Sequence, residues 1–452
     1  MDPSRNGAVE HMTSTALTGG TVIDVIDERL VADQTVLVRD GRISAVGPRA
    51  EVTIPPDAHR YDVTGHWVLP GLVDMHCHLT GHSDLPLELF LLNGVTTVRD
   101  PGGVLAQQRL LREQVQAGAR IGPRVLIAGE LLDGNPPVWP GQSLLVDTPE
   151  RGIAAVRHLA AQGVDCVKIY NHVPAEVLAA VIAVARDLGL PVIGHVPRRM
   201  SMLQAIQAGM NGLEHIRITG SDFLPPERAA QLDMLPVSER EPRLWEHIDP
   251  AEPWIDALID AMLTHDVTLD PTLLIDDVIY AEGIAGQADH PDNAYLPGWA
   301  RDGRAAEEVS SIMQMPDDLG PLARATEVKR REFVRKCWHA GVRVTTGTDG
   351  AALGRLLPGF GLHHEIRLLR DAGLPPFASL QAATISGARA LNLAGEIGSI
   401  EAGKAADLSV WTADPLTSQL RPGDLEMVML GGVEYRPEAL SAVPSSAAEQ
   451  PR

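Results

Sequence analysis

Apolar and polar positions alternate in short segments at both ends of the chain, and the period changes between them. From Gly20 to about Val68 the segments TVIDVIDERL, QTVLVRDGRISAVG and HRYDVTGHWVL alternate and are broken by Asp-Gly and Pro-Pro, the pattern of strands and hairpins. From Gly398 the runs GSIEAGKAADLSVWTADPL and LEMVMLGGVEYRP read the same way. The two ends, residues 20–68 and 396–440, are therefore expected to build one small β-sandwich. Residues 1–19 are expected to lie outside it as a disordered or tag-like segment, with His11-Met12 resembling a cloning junction, and residues 441–452 as a flexible tail.

Between these ends, short apolar runs that finish in polar residues alternate with Ala/Leu-rich stretches. Eight such runs occur: WVLPGLVDMHCHL, VTTVRDPGG, PRVLIAGELL, DCVKIYNH, LPVIGHVP, NGLEHIRI, VTLDPTLLI and VRVTTGTDG. Segments such as PERGIAAVRHLAAQG and PAEVLAAVIAVARDLG separate them, opening on Pro and Glu and closing on Gly, as helices do. Eight strand-helix units over residues 69–395 predict an α/β fold of the (β/α)₈ TIM-barrel kind. The connections near 217–266 and 276–342 are longer than a minimal barrel needs, and the second carries GQADHPDNAYLPGW and AEEVSSIMQMPDD. Insertions of that size build lids and pockets, or else serve only as surface elaboration.

Composition narrows the class. Over 452 residues, 44% are hydrophobic and 21% charged, which suits a packed chain. A net charge of −21 repels phosphate backbones and anionic bilayers, so nucleic acid and membrane partners are not expected. Cys77, Cys166 and Cys337 are too scattered for a disulfide framework and read as reduced, buried thiols of a cytoplasmic protein. No run of 18 apolar residues is present. A small-molecule substrate and a homo-oligomeric assembly are the expected partners.

Barrels of this kind place chemistry at the carboxyl ends of their strands. There stand His76 and His78, Lys168, His195, His215 and Asp349, from runs 1, 4, 5, 6 and 8; runs 2, 3 and 7 offer nothing comparable. Side chains alternate along a strand, so His76 and His78 should enter the barrel mouth together while Cys77 turns away. Two imidazoles and a carboxylate suit zinc or a similar ion. Taken singly each has a plainer account: a histidine bonded to backbone, an Asp-Gly turn at Asp349, a snorkelling Lys168. The ordered coincidence of all six is the signal.

With these residues in view, the chain resembles the amidohydrolase superfamily, near its imidazolonepropionase-like and prolidase-like branch, from about Gly20 to Leu416. LPGLVDMHCHL resembles the opening strand, VKI the strand-four lysine motif, GHV and LEH the fifth- and sixth-strand histidines, and GTDG the eighth-strand aspartate. GLHHEIRLLRDAGLPPFASLQAATISGARALNL and GSIEAGKAADLSV resemble the final helices and closing β segments. The resemblance implies two divalent ions, zinc foremost. His76 and His78 would share one with Asp349, and His195 and His215 would hold the other. Lys168, carboxylated by CO₂ to a carbamate, would bridge them, since two cations need an anion between them. It implies amide hydrolysis by hydroxide formed from a water shared by the two ions, with Asp349 carrying the proton to the leaving amine.

Within the superfamily, deaminases typically hold one metal, lack the strand-four lysine and carry a Glu three residues after the strand-five histidine. Here that position is Arg198 and Lys168 is present, which weighs against deamination, and the lysine likewise separates this chain from single-metal imidazolonepropionase. Prolidase-like peptidases often read His-Ala-Tyr at strand five; this chain has His195-Val196-Pro197, and Tyr170, beside Lys168, is the substitute tyrosine or an ordinary strand aromatic. His172 and Arg217 are substrate-binding candidates, Arg217 because guanidinium matches carboxylate, or are simply solvated. His363 and His364, before a helix carrying Glu365, are open between catalysis and a capping or helix-packing role, with the latter the better fit. Lactonase or phosphotriesterase-like ester hydrolysis and a decayed, non-enzymatic barrel are the alternatives.

Overall fold

The computed structural model describes residues 14–80, 86–278, 319–350 and 356–437. The Pro/Asp/Gly-rich piece 286–299 and its continuation 306–318, expected to contribute a lid, lie outside the described residues.

The two ends of the chain meet in one sheet. It is built from β1 (Ser14–Asp24), β2 (Arg29–Arg39), β3 (Arg42–Pro48), β4 (His59–Asp62) and β5 (Trp67–Pro70) of the N-terminal part. Strands β16, β17 and β18 (Leu408–Trp411, Leu425–Leu430, Val433–Tyr435) complete eight strands in the order β18-β17-β16-β5-β1-β2-β3, with β4 also on β1. β1 begins at Ser14, so the fold starts inside the segment 1–19 expected to lie outside it. Alternation sorts these side chains between two cores. Val68, Val410, Met427 and Met429 join Leu17, Val36 and Ile43 on one face. Leu69, Trp411 and Val428 join Phe360, Leu380 and Ile385 on the other, which packs against the central unit.

The central unit has two parallel sheets. The first is β6 (Leu72–Asp74), β7 (Val95–Asp100) and β8 (Arg124–Ile127). The second has seven strands in the order β10-β9-β11-β12-β13-β14-β15. These are β9 (Leu131–Asp133), β10 (Ser143–Leu145), β11 (Val167–Ile169), β12 (Val192–Gly194), β13 (Gly212–Glu214), β14 (Thr268–Asp270) and β15 (Arg343–Val344). Seven of these ten strands are buried along their whole length, as parallel strands covered by helices are, and β8, β10 and β15 are the exceptions. Helices Pro149–Ala161 and Ala175–Asp187 fall where periodicity predicted them; the Thr148 hydroxyl caps the first by accepting from Arg151 N.

Two of the eight expected runs are each two strands. WVLPGLVDMHCHL divides at Pro70-Gly71: Gly71 N donates to Asp407 O, just before β16 of the terminal sheet, and Leu72 N donates to Gly94 O of the central unit. Only glycine fits the crossing, because a Cβ at residue 71 would lie 2.0 Å from Thr96 Oγ1. PRVLIAGELL divides at Gly129, φ 78, into β8 and β9.

Backbone bonds cross between the sheets on both sides. Asp165 N donates to Ile127 O at 2.8 Å. On the other side Met75 N donates to Thr346 O, Asp349 N to His76 O and His78 N to Gly350 O, at 2.8, 2.8 and 3.0 Å. No helix among the described residues is long and apolar enough to cross a membrane. All three cysteines are free thiols and buried, as expected.

Candidate metal centre

The pairing of residues 75–78 with 346–350 decides where the chemistry lies. It sets Asp349 beside both strand-one histidines: Oδ1 is 3.2 Å from His76 Nε2 and 3.0 Å from His78 Nε2. Among the described residues, one ligand atom each from His76, His78 and Asp349 lie within 4.8 Å of one another, close enough to hold one ion. The other two histidines stand alongside. The His215 ring is 4.9 Å from the His76 ring, and the His195 ring 4.9 Å from that of His215. His215 Nε2 is 3.9 Å from Asp349 Oδ2.

Second partners fix three of the rings through Nδ1. His78 Nδ1 lies 3.2 Å from Gly102 O, His195 Nδ1 2.8 Å from Asn171 Oδ1, and His215 Nδ1 2.5 Å from Thr272 Oγ1. Donation to those oxygens leaves the Nε2 lone pair for a cation. Charge states match at His76, His195, His215 and Asp349, whereas at His78 burial lowers the ring but the Asp349 carboxylate outweighs it and raises it. Burial, with the Lys168 cation adding, pushes the His76 ring down to about 3, and burial drives His195 and His215 well below the usual imidazole range. Burial alone would raise Asp349, but His76 and His215 hold its carboxyl well below the ordinary range. Neutral imidazoles and an anionic carboxylate are the forms a metal needs. His76 Nδ1, buried with no hydrogen-bond partner, is a further polar atom at the site.

Lys168 reaches the same interior from β11. Its Nζ donates to Glu214 Oε2, and Glu214 Oε1 accepts from Arg99 Nη2 at 2.8 Å. Arg99 Nη2 is also 3.9 Å from Asp270 Oδ2. All four side chains are buried. Burial brings the Lys168 amine down to about 7, with Asp349 opposing and Arg99 adding to the fall. Burial likewise raises Asp270 to about 7, and neither of its oxygens has a hydrogen-bond partner.

Arg99 and Asp270 end the second and seventh runs, so the expectation that those strands contribute nothing near the centre is corrected. Glu214 was also missed. Strict alternation turns residue 214 away from the side of His215, but His215 has φ 61 and breaks the alternation, so both side chains turn inward. Three inward charges at the ends of VTTVRD, LEH and VTLD were the available signal.

The candidate substrate residues divide. Tyr170 stacks on His195, ring centroids 4.3 Å apart, and its hydroxyl accepts from Trp139 Nε1 at 2.8 Å. His172 turns instead to Pro136 O, 2.7 Å from Nδ1. Arg217 Nη1 stands 3.2 Å from the buried Glu241, which Arg240 also engages. His363 packs, Nε2 2.9 Å from Asn93 O, the packing role that fitted it better than catalysis, and Glu365, for which the sequence offered no role, accepts two backbone amides.

Residues 67–434 match the amidohydrolase family. The imidazolonepropionase of Acidiphilium cryptum (strain JF-5) is 28% identical over 440 residues, 90% of this chain and 94% of that protein. A provisionally named prolidase of Bifidobacterium longum superposes with a TM-score of 0.70 at 25% identity, covering 94% of this chain and 95% of the other. A Xaa-Pro dipeptidase crystallised with methionine in its active site shares the fold, with a TM-score of 0.67 at 21% identity over 94% of this chain and 100% of its own. Proteins of this family bind divalent metals and act on small molecules. The chain belongs to the amidohydrolase family, in the branch of imidazolonepropionase and the prolidase-like proteins, and is an enzyme of carbon–nitrogen bond hydrolysis.

Proposed function

We propose that this enzyme cleaves an amide bond, peptide-like or N-acyl, in a small molecule, using two divalent ions, zinc foremost, held by His76, His78, Lys168, His195, His215 and Asp349. The observation that carries the reading is the meeting of His76, His78 and Asp349 donor atoms within 4.8 Å, with the His76 ring neutral and the Asp349 carboxyl anionic as a metal requires. Bound there, the ions would acidify a water to near neutrality and polarise the substrate carbonyl.

The protein's own groups supply the rest. Asp349, anionic and facing the histidines, takes the proton of the attacking water and delivers it to the leaving amine. A buried Lys168 whose amine is brought down to about 7 has the neutral form that adds CO₂, and the carbamate exchanges a cation for the anion the ions need. Glu214 then loses its lysine partner but keeps Arg99, 2.8 Å away. Tyr170, stacked on His195, is read as facing the substrate carbonyl, and Arg217 and His172 as lining the pocket beyond.

We read the two parallel sheets as one closed (β/α)₈ barrel over 69–395, supported by the backbone bonds across both seams. The ends, 20–68 and 396–440, are read as a small sandwich, supported by their shared apolar core. Cytoplasmic residence and self-association belong to the same proposal, the first supported by three reduced thiols.

The test is a substrate screen on metal-loaded enzyme with N-acyl amino acids and dipeptides beside lactones, phosphotriesters and aminated heterocycles. Turnover confined to the amides supports the proposal. Turnover confined to esters moves the reaction to the lactonase class, and ammonia release to the deaminases.

A further inference from the structure

Three residues around the centre hold a left-handed backbone although none is glycine: His215 at φ 61, Thr272 at φ 45 and Asp349 at φ 50. For a β-branched residue this conformation is strained and persists only where the surroundings over-determine it. At Thr272 the surroundings can be named. Thr272, fully buried, stands immediately before the short helix Leu273–Asp277, whose first amides have no partner within the helix. Leu273 N donates to Glu365 Oε1 at 3.0 Å and Leu274 N donates to Glu365 Oε2 at 2.7 Å. Glu365 is itself fully buried, on the helix Phe360–Asp371. Each carboxylate oxygen thus takes one amide, and the turn is clamped directly after Thr272.

The clamp delivers one atom to the centre. Thr272 Oγ1 lies 2.5 Å from His215 Nδ1. Imidazole has two ring nitrogens; when Nδ1–H donates to a hydroxyl oxygen, Nε2 carries the lone pair. Nε2 is the His215 nitrogen that faces Asp349, at 3.9 Å.

We propose that Glu365 is a positioning residue for the metal centre: by clamping the Leu273 and Leu274 amides it holds Thr272 in its left-handed turn, and Thr272 Oγ1 in turn aims the His215 ring and accepts from its Nδ1–H when Nε2 binds the ion. The inference rests on the reading above that His215 is a ligand of the second ion. It assigns a function to the acidic residue of the HHEIR segment, 150 positions from the histidine it controls. An amide at 365 cannot serve, since Gln offers one acceptor where two donors wait.

The experiment measures zinc affinity of the full chain, equivalent by equivalent, by competition with a chromogenic chelator, alongside melting of the metal-free protein. Thr272→Val keeps the β-branch and removes the hydroxyl; Thr272→Ser keeps the hydroxyl. The expected result is a second equivalent bound about 10–100-fold more weakly in Thr272→Val and at least about tenfold more weakly in Glu365→Gln. The first equivalent is unchanged, and Thr272→Ser is restored to wild-type affinity. If Glu365→Gln fails to fold, the Val and Ser pair still decides whether Thr272 acts on the second ion. Wild-type affinity in Thr272→Val, or in a folded Glu365→Gln, overturns the inference while leaving the two-ion reading intact. A wild-type chain that takes up one ion only overturns both.

Discussion

Asp349 Oδ1 and His78 Nε2 lie 3.0 Å apart although 271 positions separate them in the chain, joined because residues 75–78 pair with 346–350. The carboxylate therefore serves both as ligand and as proton carrier in the account given above. Asp349→Asn keeps the shape and removes the charge. Its kcat should fall by about 10²–10³-fold or more, and metal-free melting should fall too, because a carboxyl held well below the ordinary range contributes stability at neutral pH; steady-state kinetics and calorimetry read the two effects. Retention of most activity would remove Asp349 from the proton path.

Glu214 is the hinge of the buried charge group, accepting from both Lys168 and Arg99. Glu214→Gln leaves two buried cations short of an anion. Breaking such a group costs about 3 kcal/mol or more, so metal-free Glu214→Gln should unfold at clearly lower denaturant concentration than wild type. An unchanged midpoint would mean the group contributes no net stability.

Lys168 sets a pH window. With its amine brought down to about 7 by burial, the group is a cation below that pH and neutral above it, and only the neutral amine adds CO₂. Between about pH 8 and about pH 6 the neutral fraction falls from about nine-tenths to about one-tenth. Bicarbonate-dependent activation of metal-free enzyme, followed as a rate on adding zinc, should fall across that interval. A flat profile would count against the carbamate.

Gly194 precedes His195 with φ 131, and a Cβ there would meet Ile169 O at 2.2 Å. Gly194→Ala should therefore cost on the order of 2–4 kcal/mol and shift His195 from Asn171. Denaturant unfolding reads the first effect and weakened binding of the second zinc equivalent the second. Wild-type stability would show that the strand yields without strain.

How far the sequence reached can be judged residue by residue. His76, His78, Lys168, His195, His215 and Asp349 were legible because strand ends are marked by a change from apolar to polar, and these residue types share one chemistry. The helices Pro149–Ala161 and Ala175–Asp187 followed from period alone, whereas the longest described helix, Gly320–Ala340, lies in a stretch that reads only as an insertion. Glu214 was not legible as part of the centre, because strict alternation turns it away from the side of His215 and His215, at φ 61, interrupts that alternation; Arg99 and Asp270 stand singly at their strand ends, without a metal-ligating partner in the same run to mark them. The division at Pro70-Gly71 was hidden too: the run is continuously apolar, so nothing in its period marks the change of sheet. Glu365 acts through backbone amides and a threonine, and no spacing rule connects it to His215.

The most direct test of the central claim is metal content per chain by mass spectrometry, on full-length protein purified without chelators and with bicarbonate present, beside Lys168→Ala. The account predicts close to two equivalents of divalent metal in the wild type and a clear loss in the variant. One equivalent indifferent to Lys168→Ala, or none after reconstitution, would contradict it.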